Sequence, residues 1–416
     1  MGNLLHSAIY GPEAFGETNL PFRGRRPLPK FFAVDLFCGA GGTTRGLIDA
    51  GGYVICGVDK EASPAETYVR NNRNLKFDRK FPDYAKFDIF PKSSSYPNGQ
   101  QHELVEYLAK KILPLKSRYP DIPWLFAVCA PCQPFTTLSR KQLSDERDQA
   151  RQRDSRLLEE ALSLIKRFHP DVVMSENVAG IRSAKYGNVW HSFEQGLIFS
   201  DYKTASNVVC ASKFGVPQRR RRSILLALRT DILGDRPIGE LPLSDGKVTQ
   251  ATVASALSNL PPIQAGERHP NLPNHRSASL SPLNLQRLKS ILPGEVNKSL
   301  ANTSQGDLRL ACHRKTEAKF NKNCFGDTYG RMRADQPSPT ITTKCYSITN
   351  GRFGHYSQDR AISLREAAAL QSFKNDYHFY PDKHIAPIAK MIGNAVPPRL
   401  AEFFARHAIS YLESDT

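Results

Sequence analysis

Two residues of this chain are placed for covalent and proton-transfer chemistry: Cys132 in Val128-Cys129-Ala130-Pro131-Cys132-Gln133-Pro134-Phe135, and Glu176 in Ser175-Glu176-Asn177-Val178. The first stretch closes an apolar run, Trp124 to Val128, with the length and composition of a buried strand. Pro131 and Pro134 fix φ and remove backbone donors, so the chain must leave the sheet there in a stiff turn. Cys132 is thereby set at a strand end on a rigid loop, where α/β proteins keep their chemistry. The spacing Cys129-x-x-Cys132 alone admits half a zinc site, a redox pair or two buried thiols. A second apolar run, Asp171 to Met174, puts Glu176 at its exit. In a parallel sheet both exits face one edge, which lets thiol and carboxyl share a pocket.

The elements that would position these groups begin at Phe31. Phe31 to Phe37 reads as a first strand, running into Cys38-Gly39-Ala40-Gly41-Gly42 and then a helix from Thr43 to about Ala50. Strand, glycine turn and helix let backbone N–H groups approach a nucleoside-bearing ligand. Thr44 stands where the third glycine of G-x-G-x-x-G would be, which weakens a dinucleotide reading. A second strand, Tyr53 to Val58, ends at Asp59, placed to accept ribose hydroxyls. Asp88, in Phe87-Asp88-Ile89, is expected to end another strand and hold an adenine amino group. Residues 102–113 and Ser155 to Phe168 carry helical apolar stripes. A strand near Ala205 to Cys210 precedes Gln218-Arg219-Arg220-Arg221-Arg222 and the apolar run Ile224 to Leu228. The two-residue period of a strand would place Gln218, Arg220 and Arg222 on one side, as an active-site wall.

Other stretches are less regular. Residues 1–30 read as an irregular arm, and Thr136 to Asp154 as a charged segment without glycine. From about Thr230 to Gln358 periodicity is lost. Asn321 to Tyr356 there interleaves Phe325, Tyr329, Tyr346, Phe353 and Tyr356 with Arg331, Arg333, Lys344 and Arg352, a pattern suited to nucleic-acid contact. Ser363-Leu364-Arg365-Glu366 is a capping box opening a helix over Ala367 to Phe373, and Pro398 suits the first turn of a terminal helix.

The totals agree with a nucleic-acid partner. The 416 residues hold 57 Lys+Arg against 40 Asp+Glu, a net charge of +17 that favours a polyanion. Eight scattered cysteines and no export signal point to reduced thiols in a cytosol. No apolar run approaches the ~20 residues of a membrane span, so no membrane role is expected. Only Cys129 and Cys132 are closely paired, so no metal is expected either.

Taken together, the motifs resemble those of DNA (cytosine-5)-methyltransferases of the bacterial restriction-modification type, from Phe31 to about His407. Asp35 to Gly42 looks like the family's S-adenosylmethionine loop, Pro131 to Phe135 its nucleophile motif and Glu176-Asn177-Val178 its acid motif. Gln218 to Arg222 fits Q-x-R-x-R, while Arg365 to Gln371 and Gly393 to Pro398 fit its late motifs. The nucleophile loop opens Cys-Ala-Pro where relatives often show Gly-Pro-Pro.

The resemblance implies an α/β fold: a Rossmann-like S-adenosylmethionine-dependent methyltransferase domain over 31–230 and 359–416, with a smaller, irregular target-recognition domain over 231–358. It implies Cys132 as nucleophile at cytosine C6, a protonated Glu176 at N3, and Arg220 or Arg222 on O2, Arg222 being preferred. Phe37, Gly39, Ala40, Gly41, Gly42, Asp59, Lys60, Asp88, Ile89, Asn394 and Val396 would hold the cofactor, S-adenosyl-L-methionine. The implied partner is double-stranded DNA, bound by a cytoplasmic monomer, with a cognate restriction endonuclease acting on the same site. A tRNA cytosine-5 methyltransferase is the alternative within the same fold. Its relatives' Cys-Phe-Thr signature is missing, since this chain has Cys324-Phe325-Gly326. A non-catalytic DNA-binding relative is the alternative outside enzymes.

Overall fold

The computed structural model describes residues 9–10, 27–74, 77–78, 80–131, 156–183, 189–320 and 326–413. The chain divides into two compact units: residues 1–210, 221–246 and 396–416 in one, 211–220 and 247–395 in the other.

The first unit is built on an eight-stranded sheet. Its strands are β1 (Ile9–Tyr10), β2 (Phe31–Leu36), β3 (Gly52–Asp59), β4 (Asp83–Lys86), β5 (Trp124–Val128), β6 (Val172–Val178), β7 (Tyr202–Cys210) and β8 (Arg221–Arg229), in the order β1-β4-β3-β2-β5-β6-β8-β7. β1 to β6 pair in parallel, and β8 runs antiparallel to both its neighbours. Every residue of β2 and of β5 is buried, as expected of strands covered on both faces. Against one face lie the stripes of helices Gln101–Arg118 and Leu157–Phe168, where Leu104, Leu108, Ile112, Leu158, Ala161 and Ile165 meet Phe32, Val34, Phe126 and Val128. Helix Gly42–Asp49 packs on the terminal helix Pro398–Glu413. The approach is so close that a Cβ at Gly46 would lie 2.4 Å from the Pro398 carbonyl oxygen.

Several elements differ from expectation. Ile9–Tyr10, within the arm expected to be irregular, adds to β4 as an edge strand. β4 ends at Lys86, so Asp88 sits two residues beyond it. The helix expected over 102–113 continues through Pro114 to Arg118, where Leu115 is buried and rewards the extra turn.

The second unit has no named strand among its described residues. Short helices, Val253–Leu257, Pro282–Lys289, Ala311–Phe320, Leu364–Leu370 and Ile385–Asn394, alternate with turns and isolated bridges. Its limits depart from the expected 231–358, because 211–220 and 359–395 pack into it. The reason is hydrogen bonding. Gln218 Nε2 donates to Gln371 Oε1 (2.8 Å), its Oε1 accepts from Ile341 N (2.8 Å), and Gln371 Nε2 donates to the Ile392 carbonyl (2.7 Å). Helix Leu364–Leu370 opens with the expected capping box, Ser363 and Glu366 each bonding the other's backbone N–H. Among the described residues no helix is long and apolar enough to cross a membrane.

Candidate active site

Strand order reverses between β2 and β5, whose carboxyl ends lie side by side with Leu36 opposite Val128. Crevices beyond such a reversal are where α/β sheets bind ligands. The loop leaving β2 winds tightly: Phe37, Gly39 and Gly41 all have positive φ, at 63°, 49° and 88°. A Cβ on Gly39 would meet nothing within 4 Å, so this turn borders open space. The Gly39 N–H donates to Asp59 Oδ2 (2.9 Å), and Glu61 N–H to Oδ1 (2.9 Å). Burial raises the Asp59 pKa despite these bonds. The carboxylate expected to meet a ribose thus also ties down the glycine loop. Phe87 N donates to the Asp59 carbonyl (3.1 Å), which sets Asp88 and buried Ile89 just beyond the end of β3, with Lys60 exposed beside them.

Thr44 replaces the third glycine for a reason the spacing does not disclose. Its Oγ1 donates to Oδ2 of Asp35 (2.7 Å), a carboxyl with no exposed surface whose pKa burial pushes up to about 7. Helix and strand are joined there by a polar contact instead of backbone proximity.

The loop toward Cys132 starts against the same edge. Cys129 N donates to the Leu36 carbonyl (3.4 Å), and Thr43 Oγ1 approaches Cys129 Sγ at 3.6 Å. From β6, Ser175 Oγ donates to the Val128 carbonyl (2.6 Å) and Asn177 Nδ2 to the Ala130 carbonyl (3.2 Å). Burial, and then the Glu176 carboxylate, drive the Cys129 pKa well up, so this sulfur stays a thiol. Cys132 and the segment Thr136 to Asp154 lie outside the described residues. So do Phe325 and the arginines of the arm before Pro27.

Glu176 is not at a strand exit. Pairing of β6 with β5 stops at Ser175, but pairing with β8 continues to Val178, because the antiparallel neighbour outruns the parallel one. Glu176 therefore projects from regular strand just past the end of β5. Arg222, opposite Val178 on β8, puts Nε 2.8 Å from Glu176 Oε1, the two side chains being 10% and 12% exposed. The approach is an ion pair outside hydrogen-bond alignment, so Oε1 accepts no directed bond among the described residues.

The arginine run does alternate. Gln218, Arg220 and Arg222 are buried, Arg219 and Arg221 exposed. Their partners differ, which corrects the expectation of one substrate-facing wall. β8 begins only at Arg221, and the Arg220 guanidinium, in the second unit, donates to the carbonyls of Ile341, Gly393 and Ala395, each at 3.2 Å. Arg220 fastens the second unit, and only Arg222 meets the carboxyl. Asn394 is exposed on the second unit, and Val396 buried at the start of the last segment of the first.

The aromatic and cationic interleaving of 321–356 also resolves differently. Tyr329, Arg331 and Phe353 are core residues, 3%, 5% and 2% exposed. Arg331 donates to the carbonyls of Leu288, Ile291, His355 and Gln358, satisfying loops that no sheet ladder serves.

Comparison with known proteins agrees with this geometry. A family profile described as C-5 cytosine-specific DNA methylase matches residues 31–410. The chain is 32% identical over 382 residues to the type II methylase M.HgiDII of Herpetosiphon aurantiacus, covering 91% of this chain and 95% of that protein. It is 28% identical to the type II methyltransferase M1.HphI of Haemophilus parahaemolyticus, covering 89% and 85%. Among solved structures, a DNA modification methyltransferase encoded within a prophage (E. coli) superposes with a TM-score of 0.61 at 20% identity, covering 92% and 99% of the two chains. That likeness establishes the Rossmann-like methyltransferase fold.

Proposed function

The chain belongs to the C-5 cytosine-specific DNA methylase family, and from that premise we propose how its own residues perform sequence-specific methylation of DNA at cytosine C5. The observation that carries the reading is the shared edge: the glycine loop, the start of the thiol loop and Glu176 all abut the carboxyl ends of β2 and β5.

The methyl donor is S-adenosylmethionine, which supplies an electrophilic methyl group when bound. The turn around Gly39 borders open space and so fits it, and Asp59 and Asp88 would supply acceptors to its ribose and its adenine. By the family resemblance, Phe37, Ala40, Gly41, Gly42, Lys60, Ile89, Asn394 and Val396 would supply the remaining contacts.

Cytosine is a poor carbon nucleophile, so Cys132 adds as thiolate at C6 and makes C5 electron-rich. Glu176 holds a proton at N3, where charge develops on addition. Arg222 orients Glu176 and supports O2. The electron-rich C5 would then bond the methyl group, whose sulfonium carrier leaves as the neutral thioether; loss of the C5 proton and expulsion of Cys132 restore the aromatic ring of the methylated base. No atom of this reaction is reachable inside a stacked duplex, so the base is flipped out.

The target is read by the second unit. Residues 211–220 and 247–395 hold 23 Lys+Arg against 10 Asp+Glu, and the rest of the chain 34 against 30. The smaller unit therefore carries +13 of the net +17, as phosphate binding requires. A cytoplasmic monomer acting on double-stranded DNA, with a restriction endonuclease of the same specificity as partner, completes the reading.

Bisulfite sequencing of DNA from cells expressing the protein tests it. Protected cytosines at one recurrent short sequence are expected, absent with Cys132→Ala. Full conversion everywhere would refute the proposed activity.

A further inference from the structure

The second unit consumes most of its arginines internally. Arg220, Arg287, Arg331, Arg360 and Arg365 are buried, while Arg268, Arg309, Arg333 and Arg352 pair with carboxylates. Three exposed cations, Arg314, Lys315 and Lys319, share one regular element, the ten-residue helix Ala311–Phe320.

One side of this helix packs into the unit. His313 is buried and packs near the Tyr329 ring, with centroids 6.2 Å apart. Glu317 pairs with Arg309 at 3.0 Å, and Asp307 pairs with the same guanidinium at 2.8 Å. Both neighbouring carboxylates thus lie nearest Arg309. At 3.6 residues per turn, positions 314, 318, 311, 315, 319 and 312 form one continuous arc opposite His313, and all six are exposed. That arc presents Arg314, Lys315 and Lys319 around Ala311 and Ala318. Arg314 makes only a backbone bond to the Arg309 carbonyl (3.0 Å) and a 3.9 Å approach to Asp307. A cationic rim around a small-residue centre suits a polyanionic groove: the cations reach phosphates while the alanines admit base edges and thymine methyl groups.

We propose that the outer face of helix Ala311–Phe320 enters the major groove of the target duplex and is a specificity-determining element of the second unit. This rests on the reading of that unit as the target reader. The recognised chemistry is double-stranded DNA; a protein partner would leave the face indifferent to DNA.

The test uses the full chain and a labelled duplex carrying the methylated sequence. Cys312 lies on the arc and is exposed, so its alkylation by N-ethylmaleimide, followed by peptide mass spectrometry, reports cover. The duplex is expected to slow Cys312 alkylation about tenfold or more, given saturating DNA. Replacing Arg314, Lys315 and Lys319 together by alanine should weaken binding roughly tenfold and lower the log–log salt slope by about two to three, with thermal melting unchanged. Restoring charge with Arg314→Lys and Lys315→Arg in the otherwise intact chain should keep the slope. Undiminished Cys312 alkylation on saturated DNA, or an unchanged slope in the triple variant, would overturn the proposal. The underlying reading fails separately, if exchanging residues 247–395 with those of a relative of different specificity leaves the methylated site unchanged.

Discussion

Glu176→Gln is expected to lower kcat for methyl transfer by roughly two to four orders of magnitude, the usual contribution of a positioned proton-transfer group. Glutamine keeps the shape and a hydrogen-bond donor for N3, but it cannot exchange a proton there. It also removes the charge that faces Arg222 Nε at 2.8 Å. Duplex affinity should stay within a few fold, because Glu176 sits in regular strand between Ser175 and Asn177, whose own bonds to the β5 exit do not involve it. Single-turnover transfer and equilibrium DNA binding, measured on the same preparation, separate the two effects. A kcat within about threefold of the parent enzyme would remove Glu176 from the chemistry.

Arg360→Ala is the largest expected stability change, about 3–5 kcal/mol, because it strands a buried carboxylate. Arg360 and Glu366 are 0% and 1% exposed and joined by two bonds of 2.7 Å. Arg360 also donates to the Ile263 carbonyl at 2.9 Å, tying distant loops together. Burial pushes the Glu366 pKa up, but the Arg360 bonds and charge, with His355 nearby at 3.5 Å, outweigh it and leave a net lowering. A depressed folded pKa stabilises above the unfolded value and loses that contribution as pH falls through the folded one. Urea unfolding should therefore show the full loss in Arg360→Ala near pH 7 and a smaller one under acid conditions below about pH 4, where protonation relieves the stranded charge. An equal loss at both pH values would mean that Arg360 acts through packing alone.

Much of the first unit was legible because strands buried on both faces write themselves as apolar runs. Trp124 to Val128 matches β5 residue for residue, and the Gly39 turn follows β2 as its glycines require. What failed to show depended on partners remote in sequence. Glu176 looked like a strand-exit residue because Ser-Glu-Asn is polar, yet the antiparallel partner β8 carries the strand past it. Tyr329, Arg331 and Phe353 looked like a nucleic-acid surface because composition does not separate a solvated arginine from one satisfying carbonyls 24 to 43 residues away. The limits of the second unit were hidden likewise: Gln218 and Gln371 meet across 153 positions. Ser175 carried no warning of its role, since a single hydroxyl bonding the last carbonyl of β5 has no periodicity to read.

The site residues share one logic. Backbone carbonyls at the ends of β2 and β5 are the fixed points, and Cys129, Ser175 and Asn177 bond to them or just beyond. The loop toward Cys132 is thereby registered against both the glycine turn and the strand that bears Glu176. Cys129, first half of the apparent thiol pair, serves as a protonated packing group in that seam.

The most direct measurement is intact-mass analysis after incubation with S-adenosylmethionine and a duplex carrying 5-fluorocytosine at the methylated position. Fluorine at C5 blocks the loss of the C5 proton, so the adduct formed by Cys132 should accumulate as protein plus oligonucleotide. Cys132→Ala should show free protein alone. An adduct of undiminished yield in Cys132→Ala, or none in the parent enzyme while it methylates ordinary duplex, would contradict the covalent route.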